Sequence, residues 1–193
     1  VYLSEYYGLD EVAKFWEGVV KLNKWHQHRI SQLVSKKLFG SVSGKKICIL
    51  GFSFKANTND TRESAAITIC KDLIEEGSFL LIHDPKVKES QISSDLGVDA
   101  TKDLSQIYNT NTHHSKGNWC KSEDIYTACR GVDAIIVLTE WDEYSKISWE
   151  LISKEVRFPT WVFDARSIVN SNEVVEAGLN LWKIGYGFNN QVS

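Results

Sequence analysis

Apolar residues recur at helical spacing from about Asp10 to Phe39: Val12, Phe15, Val19, Leu22, Trp25 or His26, Ile30, Leu33 and Leu38. Steps of three and four place them along one stripe of a helix of about thirty residues, roughly 45 Å long at 1.5 Å per residue. Asp10, following Gly8 and Leu9, suits the N-cap, and Gly40 suits the stop. So long a helix fits a spacer or dimerisation spine between domains better than an internal helix of one domain. The opening segment "VYLSEYYGLDEV" already reads as helix.

After "GSVSGKK" the rhythm changes to short apolar runs alternating with helical ones. "KICILG" predicts a strand, "ESAAITICKDLIEEG" a helix starting near Glu63 and closed by Gly77, and "SFLLIHDP" a strand stopped at Pro85. From Lys86 to Lys121 the pattern is irregular. It holds a weak third strand near Val98, the helical "DLSQIY", and "NTNTHHSKGNW", a polar tract that reads as a surface loop or insertion. There follow "SEDIYTACRG" as a helix capped by Ser122, "DAIIVLT" as a strand, "SWELISKEV" as a helix, "TWVFDA" as a strand, "NEVVEAG" as a helix and "NLWKIG" as a last strand. Alternating strands and short helices predict an α/β fold: a Rossmann-like, doubly wound, mostly parallel sheet preceded by the long helix. The division implied is a helix region over 1–40 and an α/β domain over 41–193.

Composition narrows the function classes. The chain has 193 residues, enough to bury a sizeable core, and its formal net charge of -3 gives no reason to expect nucleic acid or a membrane surface as partner. No apolar run reaches spanning length, and the start lacks the basic-then-apolar pattern of a signal peptide. Cys48, Cys70, Cys120 and Cys129 lack CxxC spacing and read as reduced core thiols, which fits a cytoplasmic compartment. The chain has no methionine and is expected to be a piece of a longer polypeptide, its chemistry shared with residues upstream.

In a parallel sheet, ligands bind beyond the carboxyl ends of the strands. The exits here are "GFSFKANTNDTR", "HDPK", "TEWDEY" and "DARS", all polar or charged and all expected at one edge. A dinucleotide fingerprint at the first exit would need G-x-G-x-x-G, yet only Gly51 is present, with Ser53 and Ala56 in the other places. The loop instead offers Lys55 as a point charge and Arg62 as a planar donor, both suited to phosphate or sugar hydroxyls. Asp60 and Thr61 would hold Arg62 or cap the next helix, whose N-terminus adds its own attraction for anions. A capped loop with solvated charges accounts for the same residues equally well. Asp84 would grip a ribose or simply end the strand in a Asp-Pro turn. Arg166 would reach a ligand phosphate or pair with Asp164. Trp141 would be an aromatic lid or a packed rim residue. His113 and His114 have no second ligand pair at metal spacing, so a metal site is not expected.

Taken in order, "GKKICILGFSFKANTNDTRES", "HDPKV", "LTEWDEY" and "FDAR" resemble the UDP-glucose/GDP-mannose dehydrogenase family, and the long helix resembles the central helix joining that family's two Rossmann-like domains. The resemblance implies oxidation of the C6 hydroxyl of UDP-glucose to a carboxylate in two hydride transfers to NAD, through a covalent intermediate on a cysteine. It implies Phe54, Lys55 and Arg166 as contacts to the UDP-sugar, and Arg62 as the residue that reaches the NAD pyrophosphate held by an N-terminal NAD-binding domain. It implies a homodimer or hexamer built through the long helix. Ala165 stands where the family has glycine, and none of the four cysteines matches the catalytic one, so the chain is expected to be inactive alone. The alternatives are the same part of a UDP-N-acetyl-sugar or GDP-mannose dehydrogenase, and a non-catalytic nucleotide-sugar-binding or dimerisation module.

Overall fold

Lys46–Leu50 (β1) and Ala134–Val137 (β4) are apolar runs buried at every position, as central strands covered on both faces must be. They lie side by side at the middle of a six-stranded sheet. Phe79–His83 (β2) and Asn118–Lys121 (β3) extend it on one side, and Trp161–Asp164 (β5) and Asn180–Lys183 (β6) on the other, in the order β3-β2-β1-β4-β5-β6. Every pairing is parallel, with Cys48 opposite Leu81 on one flank and Ile135 on the other. The structure, a computed structural model, describes residues 1–102 and 117–186.

Alternation along the strands splits the core in two. Ile47, Ile49, Ile136 and Phe163 face a layer of three helices, Asp10–Lys37 (α2), Ala65–Glu75 (α3) and Glu89–Leu96 (α4). Cys48, Leu50, Ile135 and Val137 face Ile125–Ala128 (α5), Trp149–Ser153 (α6) and Ser171–Glu176 (α7), with Tyr144 and Trp149 filling the space. A short helix, Tyr2–Tyr6 (α1), precedes α2. All four cysteines are buried free thiols, as the sequence predicts. Among the described residues no helix is long and apolar enough to cross a membrane.

Four expectations need correction. Asp10 is the first residue of α2 rather than its cap; Leu9 precedes it without a side-chain bond, and Asp10 and Glu11 favour the helix dipole from the first turn. The helix meets the sheet only near its C-terminus, where Val34 and Leu38 are buried and Ile30 and Leu33 pack beside them. Val12, Phe15, Trp16, Leu22 and Trp25 remain exposed. Next, α3 starts at Ala65, because Ser64 caps it by accepting from the Ala66 N–H, while Glu63 sits at φ +60° outside the helix. Asp124, not Ser122, caps α5 through a 2.6 Å bond from the Thr127 N–H. Finally, Val98 is exposed beyond the left-handed Gly97, and the third strand is Asn118–Lys121 at the end of the polar tract. Trp119 anchors that strand: it is fully buried and its Nε1–H donates to the Val98 carbonyl at 2.9 Å. Polar neighbours hid this strand in the sequence. "DLSQIY" and the stretch 109–116, with His113 and His114, lie outside the described residues.

Candidate functional site

The chain leaves β1 toward β2 on one side and later crosses to β4 on the other, so the β1–β4 boundary is the switch point where loops diverge and a crevice opens. The parallel sheet brings the exits of β1, β2, β4 and β5 to this one edge.

The first loop is held from beneath by Asp84. This fully buried carboxylate follows β2; its Oδ2 accepts the Phe52 N–H at 2.8 Å and the Ser53 N–H at 3.0 Å, and its Oδ1 accepts the Lys86 and Val87 N–H groups, each at 2.9 Å. Burial alone would raise its pKa; the four backbone donors overcome that and leave the carboxyl below its ordinary value. Asp84 is therefore a clamp with its lone pairs committed, and not a grip for a ribose. Trp141 belongs to the same clamp: it is 6% exposed and its Nε1–H points at Asp84 Oδ2, 3.3 Å away, which makes it packed rim and not a lid.

Further bonds hold the start of the loop. The Thr139 hydroxyl donates to the Ser53 carbonyl at 2.7 Å, the Ser64 hydroxyl to the Phe52 carbonyl at 2.8 Å, and the Phe54 N–H to the Asp60 carbonyl at 2.8 Å. The N–H groups of Phe52, Ser53 and Phe54, at the start of the loop, are thus used internally. The first turn of α3 is likewise occupied by its Ser64 cap, which weakens the expected anion attraction there. Gly51, at φ +94°, is required by packing: a Cβ there would lie 2.4 Å from Thr139 Cβ. Replacing Ser64 by alanine removes the cap and the tether to Phe52, and is expected to lower stability by about 1–2 kcal/mol in urea unfolding.

On this fixed backbone the predicted residues stand outward. Phe54 is half exposed and Lys55 exposed. Arg166, at the β5 exit, donates from Nε to the Leu138 carbonyl at 2.6 Å. It does not pair with Asp164, which instead accepts the Arg166 and Val169 backbone N–H groups. Glu140 joins the two loops: Oε1 accepts the Ala56 N–H at 3.4 Å and Oε2 lies 3.5 Å from Arg166 Nε. Sequence reasoning noted Glu140 only as a neighbour of Trp141; no spacing signal pairs it with Arg166. Ala165 continues the ladder, its N–H donating to the Val137 carbonyl at 3.1 Å.

Arg62 is turned onto Asp60, with Nε 3.0 Å from Oδ1 and the second nitrogen 2.7 Å from Oδ2. The guanidinium holds the Asp60 carboxyl down to about 2. The Arg62 side chain is 88% exposed, so solvent screens the pair and a stronger anion can compete for the guanidinium. Thr61 takes no part in holding Arg62; it is buried and its hydroxyl accepts from Gln91.

Comparison with known proteins bears on this geometry. The UDP binding domain of the UDP-glucose/GDP-mannose dehydrogenase family matches residues 48–171. UDP-glucose 6-dehydrogenase of Caenorhabditis elegans is 39% identical over 186 residues, covering 96% of this chain and 36% of that one. UDP-glucose 6-dehydrogenase 2 of Arabidopsis thaliana is 38% identical over 190 residues, 96% of this chain and 39% of the relative. The chain thus spans little more than a third of the length of these curated relatives. Among solved structures, a UDP-glucose dehydrogenase from Pyrobaculum islandicum shares the fold with a TM-score of 0.60 at 22% identity, over 86% of this chain and 31% of that chain.

Proposed function

The chain belongs to the UDP-glucose/GDP-mannose dehydrogenase family, and we propose that it is the nucleotide-sugar-binding C-terminal part of an NAD-dependent UDP-glucose 6-dehydrogenase, which oxidises UDP-glucose to UDP-glucuronate. The observation that carries this reading is the rigid first loop, which presents Phe54 and Lys55 and is tied through Glu140 to Arg166 at the next exit. Lys55 and Arg166 neutralise the diphosphate, Arg166 with the planar donor geometry that suits phosphate oxygens. Phe54 offers an apolar face to the sugar nucleotide. Because the loop is fixed before the ligand arrives, binding loses little conformational entropy there.

Arg62 faces the dinucleotide held by the N-terminal domain of the same polypeptide. An exposed guanidinium on a loop whose first three backbone donors after Gly51 are committed fits one wall of an NAD site and not its cradle. NAD, when bound, supplies the hydride acceptor. The covalent cysteine is not among the four present here: all are buried, and burial pushes the thiols of Cys48, Cys70 and Cys120 up, Cys120 to about 11. Residues 41–193 form the binding domain, and 1–40 the joining helix. The exposed Phe15, Trp16, Leu22 and Trp25 on α2 support a contact with the N-terminal domain and a second copy, in a homodimer or a hexamer built from dimers. Buried free thiols suit a reducing, cytoplasmic setting.

UDP and UDP-glucose are expected to raise the melting temperature of the full polypeptide. Lys55→Ala and Arg166→Ala should each weaken UDP binding about tenfold, the loss expected for one charge-assisted phosphate contact. Titration calorimetry checks this. Unchanged affinity in both variants, or preferential binding of GDP-mannose or a UDP-N-acetyl sugar over UDP-glucose, would overturn the assignment.

A further inference from the structure

Between the C-terminal half of α2 and the exits of β4, β5 and β6 lies a cavity of about 620 Å³. That is the size of a site for a nucleotide-sized ligand. Among the described residues its lining holds five cations, Arg29, Lys36, Lys37, Arg166 and Lys183, and no carboxylate, in a chain whose formal net charge is -3. Like charges gathered in a partly enclosed space raise the local potential and concentrate anions there.

Neutral groups help to set four of these cations in place. Arg29 lies 5.5 Å from the Trp25 ring and Lys37 Nζ lies 4.4 Å from the Trp161 ring. Lys183 Nζ donates to the Val169 carbonyl at 2.8 Å, and Arg166 Nε to the Leu138 carbonyl. Glu140 lies 3.5 Å from Arg166, and the buried Asp164 3.8 Å from Lys183. Both sit beside the two cations at the strand exits. On that wall Arg29 and Lys36 are seven residues apart, two turns along one face, with Ile30 and Leu33 between them. Trp182 and Tyr186 supply an aromatic side opposite.

We propose that this cavity is a binding site for a phosphate-bearing polyanion of nucleotide size, with Arg29 and Lys36 of α2 holding phosphate and Trp182 and Tyr186 facing the remainder of the ligand. The inference goes beyond the reading of α2 as a joining and dimerisation helix and does not rest on Lys55. Two sources share the chemistry: the diphosphate of the nucleotide sugar itself, entering past Arg166, or a separate nucleotide.

The test is titration calorimetry of the full polypeptide with inorganic pyrophosphate, using the wild type, an Arg29→Gln/Lys36→Gln double variant and, as a charge control away from the cavity and the strand exits, Lys154→Ala. The double variant is expected to bind pyrophosphate at least about tenfold more weakly. The difference should narrow as salt is raised, and Lys154→Ala should bind like the wild type. Both substituted side chains are exposed, so circular dichroism should report an intact fold. Saturating UDP distinguishes the sources. Loss of pyrophosphate binding then assigns the cavity to the nucleotide sugar, and persistence assigns it to a separate anion. Equal affinity in wild type and double variant, or no binding of pyrophosphate to the wild type at millimolar concentration, overturns the proposal. Failure of the nucleotide-sugar reading would appear separately, as unchanged UDP affinity in Lys55→Ala and Arg166→Ala.

Discussion

Asp84→Ala is expected to lower the unfolding free energy by about 3–5 kcal/mol, because it strands backbone donors inside the protein. The carboxylate is the shared acceptor for the N–H groups of Phe52 and Ser53 on one oxygen and of Lys86 and Val87 on the other. Truncation also leaves the buried Trp141 Nε1–H facing a void. Asp84→Asn should cost less, since one oxygen remains and only the donors facing the new NH₂ lose their acceptor. Urea unfolding at neutral pH measures both, and equal stability of Asp84→Ala and wild type would refute the clamp. The pH dependence has a fixed sign. Asp84 titrates below its ordinary value in the folded state, so its contribution is complete above the unfolded carboxyl pKa of about 3.9 and is lost as pH falls through the lower folded value. The wild type should therefore lose stability below about pH 4 more steeply than Asp84→Asn. Nucleotide binding should fall along with stability in Asp84→Ala, since the backbone under Phe54 and Lys55 is released.

Gly51→Ala is expected to cost about 2–5 kcal/mol, from a left-handed backbone that alanine resists and from overpacking. The added Cβ would lie 2.4 Å from Thr139 Cβ and 2.8 Å from the Thr139 backbone N. Thr139→Gly in the same background should recover part of the loss, because the side-chain clash disappears while the backbone clash stays. A double-mutant cycle in urea separates the two, and additivity of the two changes would show that the glycine is not held by Thr139. The same experiment bears on the phosphate-loop question. A glycine kept for a ligand would show its cost in binding, whereas Gly51 should show it in folding.

Much of this was legible in the chain. The β1, β4 and β5 runs, the helices between them and the parallel order follow from apolar periodicity, since only crossover helices join strands of that length. Missing glycines after β1 already argued against a pyrophosphate cradle on this sheet, and the structure supplies the reason: the donors there bond to Asp84. Lys55 and Arg166 are legible by residue type at strand exits and Phe54 through the family resemblance alone, and all three stand at one edge. The places where the reading failed are long-range ones. β3 is set by pairing with β2 and by burial of Trp119, neither of which is visible among the asparagines and glycine around it. Ser64 and Asp124 cap their helices because of where the chain enters each helix, which local composition left open.

By itself, then, the sequence determined the alternation of strands and helices, the buried state of the thiols, and which charged residues lie at strand ends, because these depend on side-chain period and chemistry within a few residues. Tertiary structure alone decided the clamp role of Asp84, the bridge from Ala56 through Glu140 to Arg166, and the gathering of Arg29 and Lys36 with Lys183 around one cavity. Each of those joins residues from separate strands or helices, and only the folded register brings their polar atoms within reach.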